Sequence, residues 1–401
     1  MIKKVLFVSH DANRAGSQLL LLQLLKHLKV QHVPIHLLLA NGGSLEEEFR
    51  EVCEITYFPQ LHHGAPKSFL QKAAGLLKGP RSAEKELGGF QKELENLNIG
   101  LVFVNSIANA ELYHTSLQFL HQIPMVLFAH ELAMSAGIYA PEDHLSFLVN
   151  KSQHLIAVSN AVTKYYTGKF NYPEDRVSTF TLIDHEFVDD KIANADYHLL
   201  HKEFNIPEDA IIIGGCGNAE WRKGNDIFNW IAYDTLRKSS PLPVYFVWVG
   251  VGEQHEIHDL ILADIQRMGL GDKIILIPPV PNAMDYISRF DIFLLSSRED
   301  PYPLVVTEAA LNETPIVCFE KAGGAPELVE KDAGFVVPFM SVSAAADAIM
   351  ELIVDPSLRN SMGRNAREKV LERHNTPNSI EKVKAIIQQY VALPVSEKSG
   401  Q

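Results

Sequence analysis

The chain has 401 residues, 46% of them hydrophobic, and a formal net charge of −13. That length suits two or three domains with ample cores, and the acidic balance argues against a general nucleic-acid binder, which needs a basic face. Cys53, Cys216 and Cys318 are widely spaced, odd in number and without metal-ligand spacing, which suggests a reducing compartment.

Strand and helix patterns alternate from end to end. Val5-Leu-Phe-Val-Ser9 is a continuous apolar run that suits a buried parallel strand. It is too short for the core of a signal peptide, and no segment approaches the ~18 apolar residues of a membrane span, so the chain reads as cytoplasmic. A helical pattern over Leu19 to Leu28 follows, then strand candidates at His36–Leu39, Leu101–Val104, Met125–Phe128 and Leu155–Val158. The pattern restarts with Ile211–Ile213, Val244–Val249, Ile274–Ile277, Ile292–Leu295 and Pro315–Cys318. Such βαβ alternation predicts α/β architecture with two Rossmann-like, doubly wound domains. The first is expected over 1–190 and the second over 195–375, with the connection in the charged stretch from Asp184 to Pro207 and consecutive helices over 356–392.

Open parallel sheets bind ligands at the carboxyl ends of their strands, and the chemistry-bearing residues fall there. Arg14-Ala-Gly16-Ser follows the first strand and is not a GxGxxG fingerprint, which argues against a dinucleotide enzyme. His10 lies at the same strand end, and His130-Glu131 follows Met125–Ala129. A glycine-rich turn (Gly214, Gly215, Gly217) is expected to lead to Trp221-Arg222-Lys223-Gly224 before a helix-like stretch from Asn225. Adjacent cations at a strand–loop–helix junction suit a diphosphate, whose leaving-group charge needs stabilising away from water; a solvated basic loop is the plainer reading.

The richest stretch is Arg298-Glu-Asp-Pro-Tyr-Pro-Leu-Val-Val-Thr-Glu308, followed by Gly323-Gly324-Ala-Pro-Glu327. On one continuous helix Asp300 and Glu308 would lie roughly 80° and 12 Å apart. Pro301 and Pro303 put Asp300 on a loop instead, with Glu308 about one turn into the helix. The apolar neighbours of Glu308 leave its carboxylate in need of a partner. Asp300 alone could be a helix N-cap, Gly323-Gly324 a turn, and Glu327 a first-turn helix charge. Two free N–H groups at the diglycine would also make an anion site.

Asp300-x7-Glu308 with Gly323-Gly324-x-x-Glu327 resembles the signature of the retaining glycosyltransferases of family 4, which have the two-domain GT-B fold. The family carries Glu at both ends of the x7 spacing; here Asp300 stands first, with Glu299 beside it, and either can make the first contact. The resemblance implies a nucleotide-sugar donor in the second domain, with Lys223 and Arg222 on the diphosphate, Glu308 on the ribose, and Asp300 or Glu299 on the sugar. Gly323 and Gly324 would present backbone amides to the donor. It implies an acceptor, a glycan or a lipid-linked sugar, in the first domain, with Gly16 and His130 lining the reaction centre of a central cleft. It also implies a last helix, about 378–392, crossing back onto the first domain. No Asp-x-Asp occurs, so no metal or other cofactor is expected.

Residues 61–83 hold Lys67, Lys72, Lys78 and Arg81 with no acid, interleaved with Phe69, Leu70, Leu76 and Leu77. Such a stretch can touch an anionic membrane surface, which would place the protein at the inner face of the cytoplasmic membrane; a solvated helix or loop is the plainer reading. Two rival functions share the architecture. One is a nucleotide-sugar 2-epimerase, which turns over its substrate without an acceptor. The other is a non-catalytic, two-domain sugar-binding protein.

Overall fold

The structure, a computed structural model, describes residues 3–59, 80–374 and 376–393. Among these, seven strands form a first sheet: β1 (Lys4–Ser9), β2 (Ile35–Leu39), β3 (Ile55–Tyr57), β4 (Ile99–Asn105), β5 (Met125–Ala129), β6 (His154–Ala157) and β7 (Val177–Thr179). Their order is β3-β2-β1-β4-β5-β6-β7, parallel throughout. Six more form a second parallel sheet: β8 (Ile211–Cys216), β9 (Val244–Val249), β10 (Ile274–Ile277), β11 (Ile292–Leu295), β12 (Ile316–Phe319) and β13 (Gly334–Val337). Their order is β10-β9-β8-β11-β12-β13. Winding reverses between β1 and β4 in one sheet and between β8 and β11 in the other. These are the switch points at which open α/β sheets leave a crevice.

The continuous apolar strands have a simple cause: both faces are buried. In β9, Phe246 and Trp248 enter one core cluster while Val247 and Val249 enter the other. In β8, Ile211 and Ile213 divide from Ile212 in the same way. Gly214 and Gly215 lie within β8, not in a turn as the sequence suggested. A Cβ on Gly214 would stand 1.9 Å from the Phe290 ring, and one on Gly215 would stand 2.7 Å from Trp248. Close packing of rings against the strand accounts for both glycines.

Contacts divide the chain into two compact units. The first takes residues up to Val158, then Thr163–Leu182 and the segment beginning at Thr376; the second takes Ser159–Val162 and the segment beginning at Ile183. The helix Thr376–Gln388 buries Ile380, Val383, Ile386 and Ile387 in the first unit. Where the sequence suggested a connection, the chain instead forms the helices His185–Ala193 and Leu199–Phe204. Val188, Leu200 and Ile206 carry this stretch into the core of the second unit. The three strands that the sequence did not reveal, β3, β7 and β13, each end a sheet, where short, mixed sequences suffice.

Candidate functional site

In the second unit the site grows from the crevice between β8 and β11. After β8 the chain makes a 3₁₀ turn, Trp221–Lys223, before the helix Asn225–Leu236. Gly224 joins them with φ +71°, and a Cβ there would lie 2.1 Å from the Ser296 carbonyl oxygen at the end of β11. Only glycine satisfies both conditions. The Ser296 hydroxyl donates to the Gly224 and Lys223 carbonyls at 2.9 and 3.2 Å, fixing the turn to β11.

The fixed turn aims Lys223 at Asp300. Its Nζ lies 2.6 Å from Asp300 Oδ2, with side-chain exposures of 14% and 6%, so the pair is nearly dry. Arg222 Nη1 stands 3.9 Å from Asp300 Oδ1, and its Nε pairs with Glu220 at 2.7 Å. The Ser297 hydroxyl reaches Asp300 Oδ2 at 3.4 Å. Asp300 is held from behind: its N–H donates to Ala322 at 2.6 Å, and its carbonyl accepts from Gly324 N–H at 3.2 Å. Asp300 and Gly323 form an isolated bridge, with Gly323 at φ +131° and no room for a side chain. The Gly324 N–H is therefore spent on the protein, not free as the sequence reading had it. The Asp300 carboxylate meets Lys223, and the helix Leu304–Leu311 is preceded by Pro303 at its N-cap. Glu299 is buried beside it, its backbone N–H directed at the Arg222 carbonyl at 3.4 Å.

Glu308 is the fifth residue of the helix Leu304–Leu311. Among the described residues its carboxylate has no hydrogen-bond or ion-pair partner, and burial raises its pKa against a weaker opposing pull from Lys191. The Cys216 thiol at the end of β8 is pushed up to about 12 by burial first, then by Glu308, with Lys223 opposing. Glu308 and Lys223 thus share the electrostatic neighbourhood of the β8 end. Glu327 has another use. Its carboxylate accepts from Asn160 N–H (3.0 Å), Asn160 Nδ2 (3.0 Å) and Ala161 N–H (2.7 Å), in the short segment that contacts assign to this unit. These three bonds spend both of its carboxylate oxygens on the protein.

The first unit has its own constellation at the β1/β4 switch point. Ser9 pairs in register with Asn105, and Asn105 with Phe128. Asn105 Nδ2 donates to the Ser17 carbonyl at 3.2 Å, which leaves Oδ1 to accept from His130 Nε2 at 2.9 Å. His130 Nδ1 then carries the lone pair. Burial, then His10, lowers its pKa to about 3, so the ring is neutral at physiological pH. His130 N–H donates to Glu131 Oε2 at 3.0 Å, and the Ser106 hydroxyl donates to Glu131 Oε1. Buried Gln18 donates to Asp11 at 2.5 Å and meets His10 Nε2 at 3.0 Å. Gly16 is the exposed first residue of the helix Gly16–Val30, with open space where a side chain would stand. Asn105 was missed by the sequence reading, although its place at a strand end was the available signal. The basic stretch 61–83 lies outside the described residues except for the start of the helix Pro80–Asn96, whose side chains are not described there. No helix among the described residues is long and apolar enough to cross a membrane.

Comparison with known proteins places this geometry. Residues 196–369 match the family described as glycosyl transferases group 1. A lipopolysaccharide core biosynthesis mannosyltransferase, LpcC, of Rhizobium leguminosarum bv. viciae is 27% identical over 165 residues, 40% of this chain and 45% of its own. The N-acetyl-alpha-D-glucosaminyl L-malate synthase of Bacillus anthracis is 23% identical over 245 residues, 60% of this chain and 61% of its own. The chain therefore spans about half the length of these curated relatives. Among solved structures, Anabaena Alr3699/HepE in complex with UDP and glucose superposes with a TM-score of 0.76 at 18% identity, covering 96% of this chain and 100% of that one. That likeness establishes the fold, the two parallel α/β sheets of the GT-B glycosyltransferases. Residues 196–369, which carry the nearly dry Lys223–Asp300 pair at the β8/β11 crevice, are thus similar to the glycosyl transferases group 1 family.

Proposed function

We propose that the protein is a retaining, metal-independent glycosyltransferase that moves a sugar from a nucleoside diphosphate sugar to a glycan or lipid-linked acceptor in polysaccharide or glycoconjugate assembly. The observation that carries this reading is the cationic turn at the β8/β11 crevice: Lys223 and Arg222, fixed by Gly224 and Ser296, with the half-buried Glu308 carboxylate, which has no partner among the described residues, in the same electrostatic neighbourhood. In this reading the two cations neutralise the departing diphosphate. Glu308 accepts from the two ribose hydroxyls, which relieves its desolvated charge. The bond from the anomeric carbon to the diphosphate oxygen breaks as the acceptor oxygen bonds to that carbon on the same face. The hydroxyl proton passes to the departing phosphate oxygen. In the first unit we assign His130 Nδ1 as a hydrogen-bond acceptor for a sugar hydroxyl, and Gly16, at the start of its helix, to the same reaction centre. Asp300 acts on the donor through Lys223, by holding its ammonium in place. The likeness to LpcC, a mannosyltransferase, and to HepE, solved with UDP and glucose, supports this reading.

The test is a calorimetric panel of UDP, GDP, ADP, CMP and dTDP on the wild type and Glu308→Ala. One nucleoside diphosphate should bind the wild type and lose about 1–3 kcal/mol in the variant, the scale of lost hydrogen bonds to a charged group. Equal affinity for both proteins would remove Glu308 from the site. Consumption of a nucleotide sugar with no acceptor present would favour the epimerase instead.

A further inference from the structure

Trp221 stands beside the donor turn with 63% of its surface exposed, although indole is among the side chains that gain most from burial. It is nonetheless held still. The Arg298 guanidinium lies 4.4 Å from the ring centroid, covering one face. Arg298 is itself fixed by Asp226, Nη1 to Oδ1 at 2.9 Å and Nη2 to Oδ2 at 2.7 Å, and by the Trp221 carbonyl at 2.7 Å. Its backbone N–H donates to the Arg222 carbonyl at 2.8 Å. A guanidinium against an indole face, gripped by a bidentate carboxylate, fixes the ring with little freedom left to lose on binding.

We propose that the open face of Trp221 is a stacking platform for a pyranose ring. The site combines a fixed aromatic plane with a cation two residues away that is already engaged by a carboxylate. The apolar face of a pyranose, lined by C–H groups of slight positive charge, matches the negative face of an indole, while its hydroxyls stay in water. The inference rests on the donor-site reading of Lys223, because that ligand carries one sugar next to its diphosphate and a second sugar receives it. Either sugar supplies the same ring chemistry. No described hydrogen bond uses the indole N–H of Trp221, so the ring offers its open face for stacking and its edge N–H for a sugar hydroxyl.

The test compares the wild type, Trp221→Ala and Trp221→Phe by calorimetric titration with UDP, GDP, UDP-glucose, UDP-N-acetylglucosamine and GDP-mannose, and on an array of immobilised glycans. The bare nucleoside diphosphates should bind all three proteins alike. At least one pyranose-bearing probe should bind Trp221→Ala about tenfold more weakly, the scale of one aromatic contact, with Trp221→Phe recovering most of the loss. A loss confined to nucleotide sugars assigns the platform to the donor, and one confined to the array assigns it to the acceptor. The platform is overturned if every pyranose-bearing probe binds Trp221→Ala as tightly as wild type, if wild type binds none, or if bare nucleoside diphosphates lose as much. Wild type that binds glycans through Trp221 but no nucleoside diphosphate would instead sink the donor-site reading and leave the platform standing.

Discussion

Replacing Asp300 with Asn tests the arrangement at its centre. Unit charges 2.6 Å apart, the Lys223–Asp300 separation, attract by about 6 kcal/mol at an effective dielectric of 20. Desolvation of both groups offsets much of that, so the attraction is not the net effect. What the variant measures is the cost of leaving Lys223, 14% exposed, without its counter-charge while Arg222 remains 3.9 Å from the same site. Breaking a buried pair from one side costs 3–5 kcal/mol; with Lys223 retaining some solvent, the lower end applies, about 3 kcal/mol. For a unit of this size that is a fall of roughly 6–12 °C in its melting temperature. A diphosphate brings the missing negative charge. Nucleoside diphosphate should therefore bind Asp300→Asn at least as tightly as wild type and restore much of the lost melting temperature. Differential scanning calorimetry with and without ligand reads both numbers. Unchanged stability without ligand, or lost stability that no nucleoside diphosphate restores, would refute the view that Asp300 serves by holding Lys223.

Two further outcomes follow from local geometry. Gly224→Ala should destabilise the second unit by about 3 kcal/mol or more, combining a left-handed backbone with a carbonyl contact that has no slack. Gly88→Ala, where a helical Cβ meets nothing within 4 Å, should instead stabilise by roughly 0.5–1 kcal/mol; similar urea midpoints for both variants would contradict the argument. On pH, burial lowers His130 to about 3 and His374 to about 4, where His374 also bonds the Tyr302 hydroxyl. Their contribution is intact above the unfolded value near 6.5 and is lost as pH falls towards the folded values, because only the unfolded chain then binds protons. Each histidine should cost up to about 1.4 kcal/mol per pH unit below 6.5. The melting temperature of His130→Phe should fall less steeply than that of wild type between pH 6.5 and 4.5; parallel slopes would exclude His130 as a source.

Much of the architecture was legible because it is written in local terms. A strand buried on both faces has to be apolar throughout, so β1, β4, β5, β8, β9 and β11 stand out as runs. The end strands β3, β7 and β13 do not, since a three- or four-residue strand at a sheet edge needs no such run. The helices His185–Ala193 and Leu199–Phe204 were hidden for a related reason: their charged residues outnumber the few apolar ones that enter the core.

The sequence alone placed Lys223-Gly224, Asp300 and Glu308 at strand ends and helix starts, because proline, glycine and hydrophobic period act within a few residues. It could not say that Asp300 meets Lys223, 77 positions away, since that depends on β8 lying beside β11. Nor could it show that Gly324 spends its N–H on Asp300, that Glu327 accepts from Ala161 N–H, or that Arg298 holds the exposed Trp221 in place. Partner choice among polar groups is decided by which strands become neighbours and how much water is left between them, and only the folded chain fixes either.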